Sequence, residues 1–139
     1  MTNIVQLAFE IAMDAHRWQR DLAGMPYITH PLAVASKVKT EDEFITALLH
    51  DVLEDSTYTV DDLRSAGMPE HIITALELLT HDKSVPYMDY IKSIKGNDLA
   101  RTVKIADLEH NSDITRLPTI TPADRERILK YQEAIKYLK

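Results

Sequence analysis

The apolar residues of this chain recur every three or four positions almost from end to end, and that period points to helices throughout. Ile4, Leu7, Ala8, Ile11, Ala12 and Ala15 fall on one helical face. In "TEDEFITALLHDVLED" the same part is taken by Phe44, Ile45, Leu48, Leu49 and Val52. The punctuation agrees. Thr40 and Glu43 have capping-box spacing. Thr59, Asn97 and Thr121 stand where N-caps belong, and Pro31, Pro69 and Pro122 fall at helix starts. Gly67 and Gly96 mark stops. No run alternates with period two and no hairpin turn signal is present. The pattern predicts an all-α fold of about seven or eight helices, in one compact domain over residues 1–139, with no linker, internal repeat or low-complexity segment.

Charge and composition narrow the function classes. A net charge of −6 argues against nucleic-acid polymers and anionic membranes as partners, but leaves a small anionic substrate open. Cysteine is absent, which excludes disulfides and thiolate metal sites. The N-terminal stretch lacks the basic flank and apolar run of a signal peptide, and no apolar run approaches the roughly 20 residues of a membrane span. The expectation is a cytoplasmic protein whose oligomeric state the sequence does not give.

One stretch conflicts with its surroundings. "ALLHDVLEDS" places His50 and Asp51 inside an apolar run and ends it with Glu54 and Asp55. Isolated polar groups on an apolar surface are costly unless something compensates them. Read as one continuous helix, the run puts His50 and Asp51 about 100° apart around its axis, so both reach one point only beside a polar cavity. His30 opens a different helix and Asp107 lies in a third. Two imidazoles and two carboxylates from three elements make a nitrogen and oxygen site for a divalent ion, better suited to manganese, iron or zinc than to calcium. The alternative is a hydrogen-bonded structural pair. Lys104, Asp107 and Asn111 share one helix face. Lys104 either neutralises a phosphate or lays its stem over the core. His110 reads as a surface or packing residue off that face. Tyr27 and Pro26 fix the loop before His30, with base stacking a second role for Tyr27. Arg17, Arg20 and Lys83 are candidate phosphate contacts, against a default of solvated surface. His16, His71 and His81 have no ligand-like context.

"HRWQRDLAGMPYITHPLAVA", "ALLHDVLEDS" and "VKIADLEHNSDITRL" resemble, in that order, three motifs of the HD-domain phosphohydrolases, and in particular the hydrolase domain of the RelA/SpoT alarmone enzymes and their small standalone relatives. The resemblance runs from about His16 to Leu117. It implies an all-α HD fold holding manganese or another divalent transition metal, with His30, His50, Asp51 and Asp107 as ligands. It also implies a catalytic role for Glu54 and Asp55 and places Asn111 near the substrate. Glu54 and Asp55 are adjacent at a helix C-terminus, where each disfavours ionisation of the other and the dipole adds to the effect. A carboxyl group tuned in this way suits proton transfer from a water; the alternative is a solvated helix end leading into the turn at Ser56.

The chain departs from the pattern at two places. Many alarmone hydrolases carry "RKSGEPY", with an arginine facing the guanine; here "RDLAGMPY" puts Asp21 at that position and Arg20 one place earlier. The last motif reads "ADLEHN" where the long enzymes commonly have "ADRLHN", so Leu108 replaces an arginine. Weak discrimination between guanine and adenine is therefore expected unless Arg20 reaches the base. The length leaves no room for a synthetase domain, so pyrophosphate transfer from ATP is not expected. The function this resemblance implies is removal of the 3′-diphosphate from guanosine 3′,5′-bis(diphosphate). The alternatives are a phosphatase of another nucleotide and a metal- or nucleotide-binding module without turnover.

Overall fold

The helix predicted over 40–55 is interrupted at His50 and Asp51, and the interruption shapes the site. The computed structural model describes residues 3–139; Met1 and Thr2, which belong to the domain predicted over 1–139, lie outside the described residues. Among these the α-helices are α1 (Asn3–Ala15), α2 (Thr29–Ser36), α3 (Glu41–Leu49), α4 (Val52–Asp55), α5 (Val60–Ala66), α6 (Glu70–Leu79), α7 (Tyr87–Ile94), α8 (Asp98–Asn111) and α9 (Pro122–Leu138), with a 3-10 turn at Ile114–Arg116. No β-strand occurs among the described residues, only an isolated bridge between Arg20 and Pro26. The all-α expectation holds. The count exceeds the predicted one because the run read as one helix over 40–55 is two, α3 and α4. The backbone N–H of His50 closes on the Ala47 carbonyl in a three-residue step, and Asp51 then bends the chain with φ −104° and ψ −1°. His50 and Asp51 are therefore not neighbours on one regular helix; the bend turns both toward the same space.

The caps form where the sequence put them. Thr40 with Glu43, Thr59 with Asp62 and Thr121 with Asp124 make reciprocal capping boxes, and Asn97 accepts from the Ala100 N–H. Gly67 ends α5 in the left-handed region at φ +103°, where a side chain would be strained. One apolar cluster joins α1 to α8 and the second half of α9, with Val52 anchoring α4 in it. Leu48, Leu49, Ile72, Ile73, Leu76 and Val103 are fully buried in it, each contributing on the order of 1.5–3 kcal/mol from removal of apolar surface. Leu108, where the long enzymes carry arginine, is one of these core residues. The start of α2, the α3–α4 bend and the second half of α8 converge at one edge of this core, and α9 closes its flank. No helix among the described residues is long and apolar enough to cross a membrane.

Candidate metal centre and active-site cavity

His50 is aimed by its own backbone. Its Nδ1 donates to the Ala47 carbonyl at 2.6 Å, so Nε2 points away from the helix into the convergence point. There Nε2 lies 3.1 Å from Asp51 Oδ2 and 3.3 Å from Asp107 Oδ1. It is buried and makes no hydrogen bond to either. His30 enters from α2, its Nε2 2.8 Å from Asp107 Oδ1 and 3.8 Å from Asp51 Oδ2. Its other nitrogen, Nδ1, is 2.7 Å from Nδ1 of His110, and the two rings stack at 4.9 Å. His110 is thus a partner of His30, not a plain surface residue. Its position three residues after Asp107 on α8 was the available signal.

The titration behaviour follows from this packing. Burial, His30 and Arg116 push His110 down to about 4, so it is neutral near pH 7 and its Nδ1 can accept from His30. Burial works against a charged His50, but Asp51 and Asp107 outweigh it and raise its pKa well above the usual imidazole value. Burial likewise opposes ionisation of Asp51, yet His50 draws it down to about 2. Asp107 is held well below the carboxylate range: burial opposes the charge, and Lys104 and His50 overcome it.

One ligand atom each from His30, His50 and Asp107 lies within 4.8 Å of the others, all three residues buried. Asp51 stands at the edge of this set, its Oδ2 also accepting from the Tyr27 hydroxyl at 2.5 Å. The group has the chemistry of a divalent-metal site. It offers imidazole and carboxylate donors with no thiolate, His30 and His50 are each oriented through the second ring nitrogen, and His50 Nε2 is buried without a hydrogen bond among the described residues.

Glu54 and Asp55 lie on α4 at the rim of the adjoining cavity of about 340 Å³. Burial, Asp51 and Glu54 raise Asp55 to about 6. Glu54 Oε1 accepts from the His81 N–H at 2.8 Å, and Lys83 Nζ is 3.8 Å from its other oxygen. His81 also stacks on Tyr90 at 4.5 Å, so a residue without ligand context in the sequence braces the rim. Lys104 Nζ sits 2.9 Å from Asp107 Oδ2, inside the same cavity. Asn111 donates to Asp107 Oδ1 at 3.1 Å.

A second cavity of about 360 Å³ abuts the first; Tyr27, Asn111 and Tyr131 line both. Arg20 lines the second cavity but is exposed, its side chain hydrogen-bonded among the described residues only to the Gly24 carbonyl at 3.1 Å. Asp21 is not a free charge there. Its Oδ1 accepts the N–H groups of Ala23 and Met25, and its Oδ2 faces Arg116 Nη2 at 3.2 Å. Arg17 lies away from both cavities, against Asp14. Sequence reasoning missed Arg116, Arg127, Lys130, Tyr87, Tyr90 and Tyr131, which line these cavities from segments mostly outside the recognised motifs.

No family model matches the chain. Individual relatives do. It is 32% identical to mouse guanosine-3′,5′-bis(diphosphate) 3′-pyrophosphohydrolase MESH1, the alignment covering 91% of this chain and 77% of that protein. The chain belongs to the same family of HD-type hydrolases. It is also 33% identical to the guanosine-3′,5′-bis(diphosphate) 3′-pyrophosphohydrolase of Haemophilus influenzae, over 86% of this chain but only 20% of that much longer protein. The chain thus spans about a fifth of the length of such long relatives of the HD-type hydrolase family. The fold agrees with a solved structure, that of a metazoan ortholog of SpoT described as hydrolysing ppGpp. The TM-score is 0.80, with 22% identity over 99% of this chain and 86% of the other.

Proposed function

We propose that this chain is one HD-type domain over residues 1–139 that removes the 3′-diphosphate from guanosine 3′,5′-bis(diphosphate), releasing pyrophosphate. The observation that carries the reading is the convergence of His30, His50 and Asp107 within 4.8 Å at the edge of a cavity rimmed by Glu54 and Asp55. The named activity of MESH1 and of the Haemophilus influenzae relative supports the choice of substrate.

His30, His50, Asp51 and Asp107 are the proposed ligands, and manganese the proposed ion, since mixed imidazole and carboxylate donors suit a borderline divalent metal. Such an ion polarises a phosphoryl oxygen and makes water acidic enough to ionise near neutral pH. The protein's own part is positional and protolytic. Asp55, pushed up to about 6, accepts the proton of the attacking water with little penalty near pH 7. Glu54, fixed by the His81 N–H, orients that water. Lys83 and Lys104 offset phosphate charge on the first cavity's walls. Asn111 and Tyr27 lie where phosphates would pass into the nucleoside, and Arg20 with Tyr131 borders the second cavity, which has room for it. The proposed setting is the cytoplasm, with a small nucleotide as partner instead of a nucleic-acid polymer or a membrane.

A second reading, hydrolysis of a different nucleotide, is favoured by one observation: Asp21 stands in the second cavity where many alarmone hydrolases carry arginine. The experiment is a screen of manganese-loaded protein against a panel of guanosine and adenosine nucleotides, with released phosphate and pyrophosphate measured separately. Pyrophosphate from the guanosine bis(diphosphate) is the expected result. Orthophosphate from another nucleotide and none from this one would establish the second reading. A bound ion with no turnover of any compound would leave a binding module.

A further inference from the structure

The segment between α1 and α2 holds α4 at both of its ends. Gln19 is the centre of that hold. Its amide nitrogen lies 2.7 Å from the Asp55 carbonyl and 3.3 Å from the Ala15 carbonyl, and its Oε1 lies 2.7 Å from Nδ1 of His16. Carbonyls only accept, so the NH₂ must face Ala15 and Asp55. The amide oxygen must then face His16, whose Nδ1 carries the proton. His16 is 1% exposed, and burial lowers its pKa, which keeps it a neutral donor. Every polar atom of the Gln19 side chain is used, and its orientation has one solution.

The far acceptor explains why this matters. α4 has only four residues; the Asp55 N–H donates to the Asp51 carbonyl at 2.9 Å and the Ser56 hydroxyl to the Val52 carbonyl at 2.6 Å. A single turn has no intrinsic stability and takes its direction from what grips it. Its last carbonyl, that of Asp55, belongs to the set a helix leaves unsatisfied, and Gln19 satisfies it. The other end is gripped by Tyr27, whose hydroxyl holds Asp51, whose ring lies 5.0 Å from that of His16 and whose N–H donates to the Gln19 carbonyl at 2.8 Å.

We infer that Gln19, locked by His16, is a positioning residue for the reaction: it sets the direction of α4 and hence where the Asp55 carboxyl stands relative to His50 and Asp107. The inference rests on the reading of Asp55 as the proton acceptor. Gln19 touches neither substrate nor reacting atoms. Its loss leaves the ligands in place and displaces the acid, and a displacement of about 1 Å costs on the order of 10²-fold in rate.

The test is a double-mutant cycle on the manganese-loaded protein: wild type, Gln19→Leu, Asp55→Asn and the double variant. The readouts are kcat and KM on guanosine 3′,5′-bis(diphosphate), metal per chain and the thermal midpoint. Gln19→Glu joins the set, because it keeps the volume and the His16 bond but cannot donate to the Asp55 carbonyl. Both Gln19 variants should lose roughly 10- to 100-fold in kcat, with KM within about threefold and metal content unchanged. In the Asp55→Asn background, Gln19→Leu should add less than about twofold, since the group it positions is already gone. Wild-type kcat in Gln19→Glu, or a loss from Gln19→Leu that multiplies in full onto Asp55→Asn, would overturn the inference while leaving the acid in its role. Wild-type kcat in Asp55→Asn alone would instead remove the acid from the reaction and the positioning role with it. Should Gln19→Leu not fold, Gln19→Glu alone and combined with Asp55→Asn decides on the same criteria.

Discussion

Lys104 donates to Asp107 Oδ2 at 2.9 Å, and this ion pair leaves the other carboxylate oxygen, which accepts from Asn111, facing His30 and His50. Burial works against the charge of Lys104, but Asp107 more than offsets it and raises the pKa well above the usual amine value. The lysine side chain is only 13% exposed and the aspartate 5%. Lys104→Met should therefore strip a buried carboxylate of its closest cation. Breaking such a pair typically costs about 3–5 kcal/mol. The expected outcome is a clear fall in thermal midpoint in the presence of chelator, partly restored by saturating manganese. An unchanged midpoint in chelator would mean that the histidines alone compensate Asp107.

The ligand assignment predicts metal content. Purified protein should carry about one transition-metal ion per chain, and His50→Ala or Asp107→Ala should lower that sharply, because ligand loss opens the shell. Elemental analysis of folded protein checks it. Full occupancy in folded Asp107→Ala would take Asp107 out of the site.

Chemistry and binding should separate at α4. Glu54→Gln and Asp55→Asn keep shape and remove charge, so metal and fold should be retained while kcat falls by roughly 10²-fold or more. Turnover at wild-type rates in both would reduce the pair to a solvated helix end.

How legible these groups were depended on how local their signals are. Helix identities, the Thr40–Glu43 capping box, the caps at Thr59, Asn97 and Thr121, and Gly67 depend on nearest neighbours along the chain, and the structure has them. The break between α3 and α4 was hidden, because "ALLHDVLED" keeps its apolar period straight through it. What ends α3 is the grip on the Ala47 carbonyl by both the His50 N–H and the ring, a contact that periodicity does not encode. His30, His50 and Asp107 were found through three motifs, and the fold brings them together. Arg116 and Tyr131 were missed because each is an ordinary surface type in its own segment. They border the second cavity only once α9 lies along α8 and the 3-10 turn folds back on the α1–α2 segment.

Asp55 also makes a prediction about stability. Its folded pKa, about 6, is above the ordinary carboxyl value of 3.8. A raised carboxyl pKa means that the folded state holds the proton more tightly than the unfolded one. Its favourable contribution is complete below pH 3.8 and is lost as pH rises through about 6. In chelator-treated protein, Asp55→Asn should thus raise the thermal midpoint at pH 7–8 and leave it nearly unchanged near pH 3.5. An equal gain at both pH values would assign the effect to packing instead of charge.

The last prediction concerns base recognition. An aspartate in place of arginine led to the expectation that guanine is poorly distinguished from adenine, with Arg20 the only rescue. The structure changes the grounds. Both oxygens of Asp21 are occupied, and Arg116 is held across the second cavity by Asp21 Oδ2 at 3.2 Å and the His110 carbonyl at 3.1 Å. Arg20 is exposed, its side chain hydrogen-bonded among the described residues only to a loop carbonyl. A guanidinium fixed at two points loses less rotamer freedom when it meets a ligand than an exposed one. Arg116→Ala should therefore lower kcat/KM for the guanosine bis(diphosphate) by about 10- to 100-fold, the scale of a hydrogen bond to a charged group, and narrow the preference over the adenosine analogue. Arg20→Ala should change either quantity by no more than about threefold, the scale of a weak surface contact. If the order is reversed, the base is read by Arg20 at the mouth, and the Asp21–Arg116 pair merely pins the loop. If both variants keep the wild-type ratio, recognition lies with the other residues that line the second cavity, Tyr27, Asn111 and Tyr131.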